Sequence, residues 1–438
     1  MSQHEDGTVR TIAWSEIFPW LTLPRVFRVA LSLRCLVLGA AAILLTLLGW
    51  WCLAAIFPDN PQAQEIWKAQ SGGASPWTVI EQSVPNIPTL PGLPTVFGQK
   101  ATAPEGKEGP AVGEKLQEAV AHPPTAATWQ PKDPLLTSWA QLSRPIWTIF
   151  VDPTMSLSGL LCLILAGLWA LAVWAFFGGA ISRIAAVQLA ADERVGWAAA
   201  TRFAASKWAS FCGAPLFPLL GIVCAVLPLL IPGLLLRFDF GLLLVGIFWF
   251  VALVGGVFMA LLLLGLIFGW PLMWATISVE GSDSFDALSR SYAYVFQRPL
   301  RYLFYAVLAA VLGALGWLLV EQFAAAIIGL SYWGVSWGSG SARIEKIIEM
   351  KDLTGMALGG ARVIHFWAGC VKLLALGFVY SYFWSAVTAI YLLLRRDVDA
   401  TEMDDVFLDA DADEHDFGLP PSPDLAPPTA PEPEPAKE

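Results

Sequence analysis

Charge is scarce in this chain of 438 residues. Asp, Glu, Lys and Arg make up 14% of it, where soluble domains carry roughly a quarter, and that shortage excludes an ordinary soluble enzyme. Histidine is scarcer still. His4, His122, His365 and His415 are the only four, and no His-x-x-x-His or Glu-x-x-His pair brings two of them to one site, so a zinc hydrolase has no ligand set. No Gly-x-x-x-x-Gly-Lys phosphate loop occurs. Cys-x-x-Cys is absent too: Cys35, Cys52, Cys162, Cys212, Cys224 and Cys370 lie singly in or beside apolar runs and read as small core- or lipid-facing side chains. A clustered Lys/Arg face is missing, which argues against a nucleic-acid partner. No cofactor, metal or catalytic residue is expected.

What the chain has is apolar mass: 56% hydrophobic residues and a mean hydropathy of +0.60. Six apolar runs, at 35–57, 157–177, 211–236, 241–270, 303–330 and 366–394, each reach or exceed the roughly 20 residues that cross a bilayer. The composition therefore predicts an all-α, polytopic integral membrane protein with six transmembrane helices. Charge is unevenly spread. The tail from Asp397 to Glu438 holds 14 acidic residues and one basic one, Lys437, so the formal −10 of the chain conceals a body of +3 over residues 1–396.

Lys and Arg beside the spans give an orientation. Arg25, Arg28 and Arg34 precede the first span. Arg183, Arg194, Arg202 and Lys207 lie between the second and third, Arg290, Arg298 and Arg301 between the fourth and fifth, and Arg395 and Arg396 after the sixth. Alternation puts all of them on one side, so both termini are expected in the cytoplasm of a cytoplasmic (inner) membrane. Arg343, Lys346, Lys351 and Arg362 dissent from the other side. Trp50, Trp51, Trp270, Trp274, Trp333, Trp337 and Trp367 fall near span ends and read as interfacial anchors.

The expected organisation is a cytoplasmic segment with an interfacial helix at 1–34, the first span at 35–57, an extracytoplasmic loop at 58–156, a five-helix membrane region at 157–396, and a disordered cytoplasmic tail at 397–438. The loop holds 15 of the 31 prolines. Pro85, Pro88, Pro91 and Pro94 recur every third residue, the period of polyproline II, and 113–122 could form a short helix. Membrane lipids are the expected partners, with the loop or the acidic tail as a possible protein-docking segment.

Residues 196–208 and 284–296 share a pattern at an offset of 88: Trp197 with Phe285, Ala199 with Ala287, Arg202 with Arg290, Trp208 with Phe296. Both read as amphipathic helices lying in the cytoplasmic interface, the second capped by Asp283. The pattern allows either a duplication or two solutions to one problem. The stretch Ser284-Phe-Asp-Ala-Leu-Ser-Arg-Ser-Tyr-Ala-Tyr-Val-Phe296 resembles the membrane region of glycerophosphodiester phosphodiesterases. Gly178-Gly-Ala-Ile-Ser-Arg-Ile-Ala-Ala-Val-Gln-Leu-Ala190 is similar to uncharacterised six-span proteins of planctomycete-type bacteria. The resemblance spans about residues 157–394 and implies a polytopic fold. In the phosphodiesterases the chemistry belongs to a separate soluble domain with no counterpart here, so it implies no catalytic residue.

Two features remain as candidate sites. Glu321 in span five and Lys372 in span six are charges in an apolar setting. They fall at similar depths, and a pair would relieve the cost of burying either. Span three contains Pro215, Pro218, Pro228 and Pro232, the mark of a broken helix that could expose backbone groups to a ligand. Together these suggest a transporter or channel for a small or lipid-like substrate. The lack of any catalytic constellation, beside two substantial non-membrane segments, points instead to a non-enzymatic scaffold or accessory protein.

Overall fold

The computed structural model describes residues 18–60, 64, 75–84, 133–151 and 156–407, and every regular element among them is helical. A 3-10 turn, Pro19–Arg25, leads into α1 (Val26–Ala30) and α2 (Leu33–Ile56). Next come α3 (Pro76–Ser83), α4 (Pro134–Val151), α5 (Leu157–Ala190), α6 (Trp197–Ser206), α7 (Trp208–Leu235), α8 (Asp239–Ile247) and α9 (Trp249–Glu280). The chain continues with α10 (Ser284–Gln297), α11 (Pro299–Ser339), α12 (Ser341–Glu349) and α13 (Gly355–Asp399). Six of these, α2, α5, α7, α9, α11 and α13, are long and apolar enough to cross a membrane. Their outward faces are apolar, as at Leu230, Leu253 and Phe258, which suits lipid and would be costly in water. The chain is an all-α polytopic membrane protein. Contacts divide it into residues 1–406 and 407–438, and of the second unit only Phe407 is described.

The spans form an inner trio and an outer trio. Helices α5, α9 and α13 pack against one another. Around them, α2 sits between α13 and α5, α7 sits between α5 and α9, and α11 lies on α13. The Tyr302 hydroxyl donates to the Phe268 carbonyl at 2.8 Å and joins α11 to α9. One tryptophan from each inner helix meets at the centre: Trp384 stacks on Trp274 at 4.5 Å and lies 6.4 Å from Trp174. Small residues permit this closeness. A Cβ added at Gly178 would come within 2.7 Å of the Trp384 ring, and one at Gly39 within 2.6 Å of the Gly377 carbonyl oxygen where α2 crosses α13.

Three expectations need correcting and one is refined. First, the segment 58–156, expected as a Pro-rich extracytoplasmic loop, contributes two docked helices. Its helix α4 packs against α5, α11 and α13, because one face carries Leu135, Ser138, Trp139 and Leu142 at helical spacing. Helix α3 also docks, stacking Trp77 on Phe366 at 5.0 Å. Second, the fourth apolar run is two helices, α8 and α9, parted at Phe248.

Third, span three is not broken. Helix α7 runs unbroken through Pro215, Pro218, Pro228 and Pro232. Proline at position i leaves the carbonyl of i−4 without a donor, and a neighbour repairs the first of these breaks: the Trp274 indole donates to the Phe211 carbonyl at 2.8 Å. In α9, Pro271 frees Ile267, whose carbonyl accepts from Trp139 of α4 at 2.9 Å. Fourth, Trp50, Trp270 and Trp274 are not surface anchors but core residues, each donating its N–H inside the bundle. Trp51, Trp333, Trp337 and Trp367 are exposed. The proposed helix at 113–122, the Pro85–Pro94 repeat and the tail beyond Phe407 lie outside the described residues.

Candidate functional site

The two amphipathic helices form as the sequence predicts, and they gather charge at one end of the bundle. Asp283 caps α10 by accepting from the Phe285 and Asp286 amides at 3.0 and 2.9 Å. Helix α6 packs on α5, α10 on α9 and α7, and α1 on α13. Arg202 and Arg290, matched in sequence, diverge in role. Arg202 is exposed, whereas Arg290 reaches Glu280 at 3.1 Å. Glu280 also takes Arg395 at 3.4 Å and the Tyr391 hydroxyl at 2.6 Å. Arg395 is held as well by Asp405, at 3.1 Å. Asp399 accepts from Tyr294, and Asp397 joins Arg301 at 3.0 Å and Tyr305 at 2.9 Å. Burial and the neighbouring Asp399 push the Tyr294 hydroxyl well above its ordinary pKa. Buried Arg183 donates to the Ser278 carbonyl at 3.0 Å and lies 4.4 Å from the centre of the Phe203 ring. The network is saturated: each charge already has a partner, which suits a clamp rather than a reacting centre.

Lys372, expected to meet Glu321, donates instead to the main-chain carbonyl of Glu81. That carbonyl belongs to the last turn of α3, where helix carbonyls lack intrahelical donors and the dipole favours a cation. Val84 packs against Ala324 and Ala375, so the end of α3 lies against both α11 and α13 beside these charges. His365 contacts the Ile347 carbonyl at 3.0 Å and ties α13 to α12.

A nucleophile-elbow spacing does occur, at Gly334-Val-Ser336-Trp-Gly338, but inside the uninterrupted helix α11. Ser336 donates to its own helix at the Trp333 carbonyl, 2.6 Å away, and the elbow requires a strand-to-helix turn. Among the described residues no group of three His, Cys, Asp or Glu could hold a metal.

One cavity stands out. About 180 Å³ in volume, it lies between α4, α5, α7 and α9, and its wall is apolar apart from indole and backbone groups. Of the four prolines singled out in α7, Pro215 lines it; Pro218, Pro228 and Pro232 do not. Trp174, Trp270 and Trp274 are the aromatic residues of its wall. Sequence reasoning missed it because Trp270 and Trp274 were assigned to the membrane surface and Trp174 was not singled out. The class these elements define is an all-α polytopic membrane protein with a closed ionic clamp at one end and an apolar cavity within. No family model, curated protein or solved structure matches the chain.

Proposed function

We propose that this protein is a non-enzymatic scaffold or accessory protein of the cytoplasmic membrane, with both termini in the cytoplasm. The observation that carries the reading is the hairpin α11–α12–α13. Its helices are 41 and 45 residues long, about 61 and 67 Å at 1.5 Å per residue. A bilayer with its headgroups measures about 45 Å, so the hairpin projects about 15–20 Å beyond it. The projecting part exposes Trp333, Trp337 and Met356. Apolar surface outside the hydrocarbon marks a protein-contact face. Support for the orientation comes from the Lys and Arg gathered with the ionic clamp. Two of the four dissenting bases at the far end have acidic partners nearby: Lys351 meets Glu349 at 2.8 Å and Lys346 meets Asp352 at 3.9 Å.

A photo-crosslinking side chain at position 337, in cells, should give a discrete protein adduct. The same group at Phe258, on the lipid-facing side of α9, should capture lipid alone. Lipid capture at both positions, together with substrate-dependent flux in reconstituted vesicles, would replace the scaffold reading with transport.

A further inference from the structure

Beyond the scaffold reading, and independent of it, we propose that the corner where the start of α2 meets the loop between α5 and α6 binds the headgroup of an anionic phospholipid. Its height in the membrane is set by α2. That helix is 24 residues long, about 36 Å, and little exceeds a hydrocarbon core of ~30 Å. Its first turn, with Leu33 and Arg34, therefore lies at the border where lipid phosphates begin. Arg34 donates to the Val195 carbonyl at 2.6 Å, which brings a segment 161 residues away to the same height. Arg28 meets Asp192 of that segment at 3.3 Å. Two stretches distant in sequence thus make one surface.

Charge decides what that surface takes. Arg28, Arg34, Arg194 and Arg202 stand against Asp192 and Glu193, and all six are exposed. Four bases and two acids leave +2. Unlike the saturated clamp, this corner keeps unpaired charge. Asp192 neutralises Arg28, but Arg34 is held by an uncharged carbonyl. Arg202, about 8 Å along α6 from Trp197, has no hydrogen-bond or ionic partner among the described residues. Both keep donors to spare, and a guanidinium takes a phosphate through two parallel hydrogen bonds.

Apolar side chains stand beside these bases. Leu33 and Trp197 are 67% and 61% exposed, which suits the level where acyl chains leave their headgroups. Bases next to a leucine and an indole match the two parts of a phospholipid. A bilayer supplies phosphates at this height all round the protein, and the surplus of +2 selects among them. It repels the cation of a zwitterionic headgroup and favours phosphatidylglycerol, which carries a phosphate and no cation.

The test uses the full chain in mild detergent, titrated with phosphatidylglycerol or phosphatidylcholine of identical acyl chains, and counts bound lipid by native mass spectrometry. One phosphatidylglycerol per chain is expected, bound about tenfold more tightly than phosphatidylcholine. Arg34→Gln and Arg202→Gln should each weaken it about fivefold, the worth of one base near an anionic surface. Asp192→Asn frees Arg28 and should tighten it, a gain that a purely structural role would not give. The Asp192 backbone, at φ 56°, suits asparagine equally. Arg343→Gln, at the far end of the bundle, should change nothing. Because Arg202 has no partner in the fold, its variant tests the site even if Arg34→Gln does not fold. Equal binding of the two lipids overturns the proposal, as does phosphatidylglycerol binding indifferent to Arg202→Gln. Displacement of the lipid by an equal concentration of inorganic phosphate would mark a site for free anions and overturns it too.

Discussion

Replacing Glu280 with Gln should be among the most damaging single changes at the ionic end of the bundle. Its side chain is 12% exposed and lies 3.1 Å from Arg290 and 3.4 Å from Arg395, which is itself 9% exposed. At an effective dielectric near 20 each such contact amounts to about 5 kcal/mol of direct attraction. Desolvation of the three groups offsets much of it. What remains when one partner is deleted is the cost of a stranded buried charge, about 3–5 kcal/mol. Here the lower end applies, because Arg395 keeps Asp405 and Arg290 keeps Asp399 at 3.9 Å. Glutamine retains an acceptor for the Tyr391 hydroxyl, so the expected loss is about 3 kcal/mol, read from denaturant unfolding in micelles. The internal control is Arg28→Ala. That residue pairs with Asp192 at a similar distance, 3.3 Å, but with side chains 57% and 69% exposed, and its removal should cost under about 1 kcal/mol. Equal losses from the two variants would refute the argument that burial, not distance, sets the worth of these pairs.

Gly377→Ala should cost about 2 kcal/mol or more and loosen α2 from α13, because the added methyl meets the Leu36 carbonyl; unfolding in micelles measures it. Lys372→Met should lose about 1.5–3 kcal/mol, the worth of a charged hydrogen bond, and be additive with Glu321→Gln to within about 0.5 kcal/mol. Strong coupling between the two would restore the pair the sequence suggested. Stability should also fall in alkali. The Tyr294 pKa is raised on folding, so its contribution is complete below the ordinary tyrosine value of about 10 and is lost as pH rises past it; a melt series from pH 8 to 11 checks the sign. Cysteine at Glu345 in α12 should react with an impermeant thiol reagent from outside intact cells, and cysteine at Ser289 in α10 should not. The reverse pattern would invert the topology.

The sequence made the spans legible because lipid imposes a coarse demand: about 20 apolar residues, whatever their order. It made α10 legible for a finer reason, since Asp283, the aromatic positions and the apolar face agree on one helix. Where it misled, the cause was a contact partner distant in sequence. Proline in α7 signals a lost hydrogen bond, and only the fold shows Trp274 arriving to replace it. Trp139 does the same for the carbonyl freed by Pro271, and it comes from a segment whose prolines marked it as loop. Hydropathy likewise cannot separate a tryptophan at the headgroups from one at the bundle centre, since both follow apolar runs. The cavity escaped notice for that reason.

The offset of 88 between the two amphipathic helices acquires a different meaning once the trios are in view. Each inner helix ends in a short interfacial element and is flanked by an outer span. Helix α5 is followed by α6 and α7, and α9 by α10 and α11. The third set is split across the chain: α13 is the inner helix, while α1, which packs on it, and α2 come from the N-terminal end. A linear comparison can align only two of the three, because the third has no continuous sequence. The inner helices keep a common mark at the centre. Trp174, Trp274 and Trp384 are each followed one turn later by a small residue, Gly178, Ser278 and Thr388. That spacing follows from geometry, since three helices can bring three indoles to one level only where the next turn leaves room for a neighbour's ring. At Gly178 the room is already taken by Trp384 and Trp274. The recurrence is therefore explained by packing around a shared centre, whether or not the three sets descend from one ancestor.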